Sequence, residues 1–429
     1  MSKRVYLDSV GCRLNQSEIT QMTRQFQSLG YAVVNDPAEA DLFVVNTCAV
    51  TSDAAKDSRK LVRRLHGQSQ SAEIAVTGCY AHLAADRVGA LPGVRYVVNN
   101  FEKDKLVSLV TGEPIEAEPL ERDYTPGTAR LTRAFVKVQD GCDNKCTFCI
   151  TTVARGAGRS RPLEEVIHEV RLMVSGGYQE VVLTGVHLGS YGHDWGNKNG
   201  LRDLVRALLA ETDIPRLRLS SLEPWDLSED FFRLWDSPRL CRHLHLPLQS
   251  GSDRTLKRML RHTNQRAFRE LVGAARKQIP DLALSTDIIV GFPGEDEDEF
   301  SESCAFVAEM DFMKIHVFPY SVREGTAAAR MKGRVDPAII KERLRVVQQL
   351  SDEGGRRFRE RYLGGTFLVL WEQVRGASEE GFWHAGLTDH YIRVEMKHPR
   401  IFTNAITPTR LVGLSLDGMV GELIGASVL

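Results

Sequence analysis

The chain has 429 residues, of which 26% are charged, and a net charge of −1, so it has room for two or three domains and is not a tail-driven nucleic-acid binder. No apolar run reaches membrane-spanning length, and Met1-Ser2-Lys3-Arg4 leads straight into a short strand, so neither a membrane span nor a signal peptide is expected. Eight cysteines without a secretory signal point to a reducing, cytoplasmic setting and to cofactor ligation rather than disulfides.

The first predicted strand, 5–10, ends at Gly11-Cys12. A helix follows, with Ser17 as its expected cap, Ile19, Met22, Phe26 and Leu29 on one face, and Gly30 as its stop. A buried-type strand at 42–45 ends at Asn46-Thr47-Cys48, a polar helix covers 54–65, and a strand at 74–76 ends at Thr77-Gly78-Cys79. Three times, then, a strand ends and a cysteine follows. In an open parallel sheet the carboxyl ends of the strands share one edge, where ligands bind. Small residues in strand-end turns would explain one such cysteine; three in register favour a metal site. Residues 111–128, rich in Pro, Gly and acid, read as a linker.

From 129 to 330 strands and helices alternate. Strands are expected at 134–138, 180–183, 216–219, 243–246, 283–290 and 314–318, with helices over 163–174, 202–210, 266–277 and 299–310. Six βα units give a parallel barrel, here an incomplete one, with its chemistry on the loops at the carboxyl ends of the strands. The first loop carries Cys142, Cys146 and Cys149, spaced Cys-x3-Cys-x2-Cys. Three thiolates fit three corners of a 4Fe-4S cluster and leave one iron open. Zinc or unligated thiols are the alternatives, and zinc would want a fourth Cys or His nearby, whereas the next His, His168, falls inside a predicted helix. The later loops carry Thr184-Gly185-Val186-His187, Ser220-Ser221-Leu222-Glu223-Pro224, Pro247-Leu248-Gln249-Ser250-Gly251, Gly291-Phe292-Pro293-Gly294-Glu295 and Pro319-Tyr320-Ser321. Small residues there let backbone approach a ligand closely. His243 and His245 read as core or supporting histidines, as His187 also could. Cys241 and Cys304 lie outside both triads and carry no assigned role. Arg155, Arg159 and Arg161 would touch phosphate, polarise substrate or form a solvated basic loop.

Between 330 and 361 ten Lys or Arg stand against five Asp or Glu, in a helical pattern that suits a polyanion or simply solvent. Short strands at 366–371, 382–384 and 391–395, then Val412 and 420–424, fit a small antiparallel barrel. Trp383 and Tyr391 could stack on bases or belong to its core. The expected fold class is α/β: an open parallel-sheet domain over 1–125, a partial (β/α)6 barrel with its basic connecting helix over 128–362, and a small antiparallel β-barrel over 363–429.

The Cys142–Cys146–Cys149 stretch, with Phe148 before the last cysteine, resembles the radical S-adenosylmethionine (SAM) enzymes. That implies a free iron binding SAM, whose one-electron cleavage yields a 5′-deoxyadenosyl radical. Gly11-Cys12-Arg13-Leu14-Asn15-Gln16-Ser17-Glu18, Asn46-Thr47-Cys48 and Gly78-Cys79-Tyr80 are similar to the three cysteine boxes of the radical SAM methylthiotransferases. There Cys12, Cys48 and Cys79 would hold a second, auxiliary 4Fe-4S cluster used in sulfur insertion. The resemblance implies that the Thr184-Gly185 loop holds the SAM amino group, and that Ser221, Glu223, Gln249 and Asp287, with Phe148 and Tyr320, face SAM or substrate. The run 151–161 departs from the family's usual apolar-Pro sequence after the last cysteine. The segment around 384–394 resembles a TRAM domain, a small RNA-binding barrel. Within the family, the first cysteine box and Phe318-Pro319-Tyr320-Ser321-Val322-Arg323-Glu324-Gly325-Thr326 are most similar to the type acting on N6-threonylcarbamoyladenosine 37 of tRNA, whose carboxylate would want Arg323 or Arg218. Relatives acting on N6-isopentenyladenosine, or on an aspartate of a small-subunit ribosomal protein, are the alternatives. The expected partners are tRNA and a flavodoxin- or ferredoxin-like electron donor. A non-catalytic iron–sulfur RNA-binding or redox-sensing protein would keep the cysteines but needs no SAM pocket, and the intact set of rim motifs argues against it.

Overall fold

The computed structural model describes residues 3–115, 132–379 and 381–424. Most of the linker expected over 111–128 lies outside the described residues.

Strands β1 (Arg4–Ser9), β2 (Ala32–Val33), β3 (Leu42–Thr47), β4 (Glu73–Gly78) and β5 (Val94–Val97) form an all-parallel sheet in the order β2-β1-β3-β4-β5. Every residue of β3 is buried, as its unbroken apolar run requires for a central strand covered on both faces. The edge strands β2 and β5 were not legible as strands; they are short and make few pairs. Helix α1 (Arg13–Ser28) starts four residues before the expected cap. Gly11, at φ +106°, turns the chain, Cys12 takes the N-cap position, and Ser17 sits within the helix. The Ser17 Oγ instead accepts a hydrogen bond from the Lys137 backbone N–H at 3.1 Å, tying α1 to the barrel.

The barrel strands are β6 (Arg133–Lys137), β7 (Glu180–Thr184), β8 (Arg216–Leu219), β9 (His243–His245), β10 (Ala283–Val290) and β11 (Lys314–Pro319). They form two three-stranded parallel sheets, β6-β7-β8 and β9-β10-β11, joined by parallel bridges at Leu217–Leu240 and Ser221–His245. No pairing joins β11 to β6 among the described residues, so the barrel is partial. Helices Leu163–Ser175, Gly200–Glu211, Gln265–Gln278 and Glu297–Glu309 bury apolar faces against it, and Val170, Leu204, Phe268 and Phe306 belong to the common core.

The basic helix Pro337–Glu360, capped by Asp336, leads to β12 (Thr366–Ser378), β13 (Gly381–Thr388), β14 (Arg393–His398), β15 (Ile406–Leu414) and β16 (Met419–Leu423). These close into a barrel in the order β12-β13-β14-β16-β15. All pairs are antiparallel except β14 with β16. Trp371, Val394, Leu411 and Met419 fill it, and the Trp371 indole N–H donates to Thr407 Oγ1 at 2.8 Å. No described helix is long and apolar enough to cross a membrane.

Candidate active site

The three strands that precede Cys12, Cys48 and Cys79 are neighbours in the sheet, so their carboxyl ends bring the cysteines to one edge. All three line a single cavity of about 1390 Å3. The approach is close enough that a Cβ on Gly11 would stand 2.6 Å from Cys48 Cβ and 2.7 Å from its Sγ. Burial pushes the Cys48 thiol up to about 11, so it is not a thiolate at neutral pH by itself. A metal displacing the proton reverses this. No described group of three or more His, Cys, Asp or Glu converges as the ligands of one ion do. A cubane differs in that its cysteines bind separate irons.

Behind this edge lies a buried ionic knot. Glu18 meets Lys103 at 2.8 Å, Arg155 at 2.9 Å and Lys137 at 3.7 Å. Burial opposes ionisation of Glu18, but the three cations outweigh it and hold its carboxyl well below the usual range. Arg155 also reaches Asp140 and Asn15 Oδ1, each at 2.9 Å. This corrects the expectation for Arg155. It is buried and fully engaged, and it locks the segment after the second triad onto α1 instead of meeting phosphate or solvent.

The second triad lies on the loop after β6. Cys142, Cys146 and Cys149 are each half-buried. The Cys149 Sγ accepts from the Thr151 backbone N–H at 3.4 Å, and the Cys146 Sγ accepts from the Arg261 guanidinium at 3.6 Å. Burial raises both thiols, and Arg261 opposes the shift at Cys146. Arg261 grips Glu223 through two contacts of 3.1 and 2.5 Å and stacks over Trp225. Glu223 therefore reaches the triad through an arginine. His187 Nε2 stands 2.5 Å from Asp226 Oδ2, and despite burial Asp226 and Cys142 push its pKa up to about 10. His168 is exposed on its helix and offers no fourth ligand. Three thiols on one loop, backed by an N–H and a guanidinium, fit an open-cornered cluster.

Thr184, Gly185, Ser221 and Asp287 line the same cavity as the first triad, and Asp287 pairs with His245 at 3.3 Å. Phe148 and Tyr320 pack in a small apolar cluster with Phe292, outside the cavity wall. Gln249, at φ +75°, bridges strands through its backbone, accepting from the Ile289 N–H and donating to the Asp287 carbonyl. The cavity takes in Arg133 and His243 at the first residues of β6 and β9, as well as Thr184 at the end of β7. It thus runs the length of the strands. Its lining holds eight Lys or Arg, among them Lys314, Arg356, Arg359 and Arg375, against five Asp or Glu, and takes in Tyr391 and Leu387 of the small barrel.

Of the two arginines expected to meet a substrate carboxylate, Arg218 is already spent. It is fully buried on Glu180 at 2.7 Å, and it donates to the Asp389 carbonyl at 2.9 Å. With Arg216, which donates to the Leu387 carbonyl at 3.0 Å, it docks the small barrel onto β8. Arg323 donates to the Val50 carbonyl at 2.8 Å, beside the Cys48 turn. Tyr391 is not an exposed stacking platform. Its hydroxyl accepts from Arg13 at 2.5 Å and Arg133 at 2.9 Å, and its ring lies 4.9 Å from His243. Trp383 is 46% exposed, with the Lys397 ammonium over its ring.

Residues 136–307 match the Radical SAM superfamily model, and residues 4–99 match a model described as uncharacterized protein family UPF0004. The threonylcarbamoyladenosine tRNA methylthiotransferase MtaB of Bacillus subtilis is 37% identical over 98% of this chain and 96% of its own. The chain belongs to the radical SAM methylthiotransferase family. The MtaB of Thermotoga maritima is 35% identical over 97% of this chain and 96% of its own. The tRNA-2-methylthio-N(6)-dimethylallyladenosine synthase of Wolinella succinogenes is 32% identical over 98% of this chain and all of its own. Among solved structures, the radical SAM methyltransferase TsrM from Kitasatospora setae superposes with a TM-score of 0.57 at 17% identity, covering 77% of each chain, a likeness of fold. Family membership makes the chain an enzyme that uses SAM and a 4Fe-4S cluster.

Proposed function

We propose that this chain methylthiolates C2 of N6-threonylcarbamoyladenosine at position 37 of tRNA. The observation that carries the reading is a long cavity, lined by more Lys and Arg than Asp and Glu, with one cysteine triad on its wall, in a chain similar along its whole length to threonylcarbamoyladenosine tRNA methylthiotransferases. Cys142, Cys146 and Cys149 would hold the cluster whose open iron takes SAM, and Cys12, Cys48 and Cys79 a second one. With these cofactors bound, the chemistry supplied is hydrogen abstraction by a 5′-deoxyadenosyl radical, sulfur delivery at the second cluster and methyl transfer from a second SAM.

The chain's own residues position and exclude. Thr184 and Gly185 offer backbone to SAM, and Ser221 and Asp287 line the space between SAM and substrate. Glu223 steadies the triad through Arg261. Phe148 and Tyr320 brace the loop from behind, and Gln249 fixes Asp287 through the backbone. The cavity's basic residues meet the RNA backbone. We assign residues 1–125 to the auxiliary-cluster domain, 128–362 to the radical SAM domain and 363–429 to the TRAM-like domain. A flavodoxin- or ferredoxin-like reductant in the cytoplasm would supply electrons.

Nucleoside mass spectrometry tests this. Threonylcarbamoylated and isopentenylated tRNA are each incubated anaerobically with reconstituted protein, SAM and reductant. A methylthio mass gain on the threonylcarbamoyl nucleoside alone is expected. Gain on the isopentenyl nucleoside alone moves the substrate, and SAM cleavage with no gain on either points to the ribosomal-protein aspartate.

A further inference from the structure

Three arginines, Arg13, Arg133 and Arg218, converge on the Tyr391 ring where the sheet domain, the barrel and the small C-terminal barrel meet, and two of them are neutralised. Arg133 pairs with Glu372 at 2.6 Å and Arg218 with Glu180. Arg13 has no carboxylate within ion-pair distance among the described residues. Among the described residues, the hydrogen bond shown for its guanidinium is to the Tyr391 hydroxyl. It follows Cys12 directly, lines the cavity and lies with its guanidinium 5.3 Å from the centre of the Tyr391 ring. On the same ring sits His243, also lining the cavity, whose Nδ1 is buried without a partner while its Nε2 meets Ser285 Oγ at 2.9 Å. Burial together with Arg218 holds His243 neutral, able to present an N–H. A guanidinium without a carboxylate and an unpaired imidazole nitrogen, both against the Tyr391 ring in one cavity, are costly unless a ligand satisfies them.

We propose that Arg13 anchors the carboxylate of the substrate's threonylcarbamoyl group, with His243 and Tyr391 completing the pocket, and so selects this substrate over adenosines with an uncharged N6 group. The inference rests on the reading under Proposed function and supplies its specificity-determining residue. Arg13 is placed by the cysteine box itself, on the residue after a cluster ligand, so substrate selection and sulfur delivery share one loop. A planar guanidinium suits a carboxylate better than an ammonium does.

The test uses full-length reconstituted enzyme and anticodon stem-loop RNAs carrying threonylcarbamoyladenosine, its threoninamide analogue or plain adenosine. Dissociation constants are measured by filter binding, and methylthio product by mass spectrometry. The wild type is expected to bind the carboxylate RNA about tenfold to hundredfold tighter than the amide RNA. Arg13→Gln should reduce that ratio to near one, Arg13→Lys should restore part of it, and Arg359→Gln should leave it unchanged. If the wild type does not distinguish carboxylate from amide, or Arg13→Gln keeps the ratio while product still forms, Arg13 is not the anchor and the activity stands. If the wild type makes no product on the carboxylate RNA, the substrate reading falls and the anchor with it. The wild-type amide comparison tests carboxylate discrimination without a variant, and should Arg13→Gln fail to fold, Arg13→Lys decides: an unreduced ratio there overturns the anchor.

Discussion

Glu18→Gln isolates the knot behind the first triad. The amide keeps the shape and can still accept from the Asn46 Nδ2, which now donates to Glu18 at 2.8 Å. The charges fare differently. Arg155 keeps Asp140 and Asn15, and Lys137 keeps Asp140 at 3.7 Å and Asp104 at 3.8 Å. Lys103, 3% exposed, loses the one carboxylate it meets among the described residues and keeps Asn46 Oδ1 at 3.4 Å. Removing one partner of a buried pair costs about 3–5 kcal/mol, and the surviving contacts of Arg155 and Lys137 place Glu18→Gln near the lower end. With a urea slope of about 3 kcal/mol per molar, the unfolding midpoint of the apoprotein should fall by roughly 1 M. The sign of the pH dependence is fixed by the depressed carboxyl. Glu18 contributes its stability above the unfolded value of about 4.3 and loses it as pH falls through the lower folded value. The penalty of Glu18→Gln should therefore be flat from pH 7 to 5 and shrink in more acid solution. Replacing the pair by Glu18→Leu with Lys103→Met should cost less than the two single changes summed. A midpoint shift under about 0.3 M, worth roughly 1 kcal/mol at that slope, or strict additivity, would refute the knot's role.

Gly11→Ala combines a left-handed φ with a clash on Cys48, so it should reduce bound iron to about half the wild-type amount while SAM cleavage persists; iron assay and 5′-deoxyadenosine yield check this. Cys304→Ser should leave iron content and turnover unchanged, because that thiol lies on the outer helix Glu297–Glu309, away from both triads. Arg218→Met leaves Glu180 buried with Arg216 at 3.9 Å and removes a tie to the small barrel. It should cost about 3–5 kcal/mol and expose residues 366–423 to limited proteolysis.

The placement of the six cysteines was legible because three follow strand ends and three share one loop. The barrel strands were legible from apolar runs bounded by rim motifs. Glu18, Lys103 and Arg155 were not, since their contacts span up to 137 residues and a lone charge in a helix pattern looks like a solvated one. Arg218 was misread for the same reason: nothing local shows that Glu180 waits on the next strand. Ser17 looked like a cap because Ser is a strong capping residue, but the Gly11 turn started the helix earlier. Arg13 stood inside a quoted motif, yet its meaning depends on what does not pair with it, which only the assembled fold reveals.

The proposed division of work sets Cys12, Cys48 and Cys79 on the cavity wall against Cys142, Cys146 and Cys149 on the loop after β6. The direct measurement is simultaneous quantification of 5′-deoxyadenosine and methylthiolated nucleoside from the Cys12→Ala, Cys48→Ala, Cys79→Ala triple variant on threonylcarbamoylated tRNA. The account predicts 5′-deoxyadenosine without methylthio product. Methylthio product at the wild-type rate would contradict it.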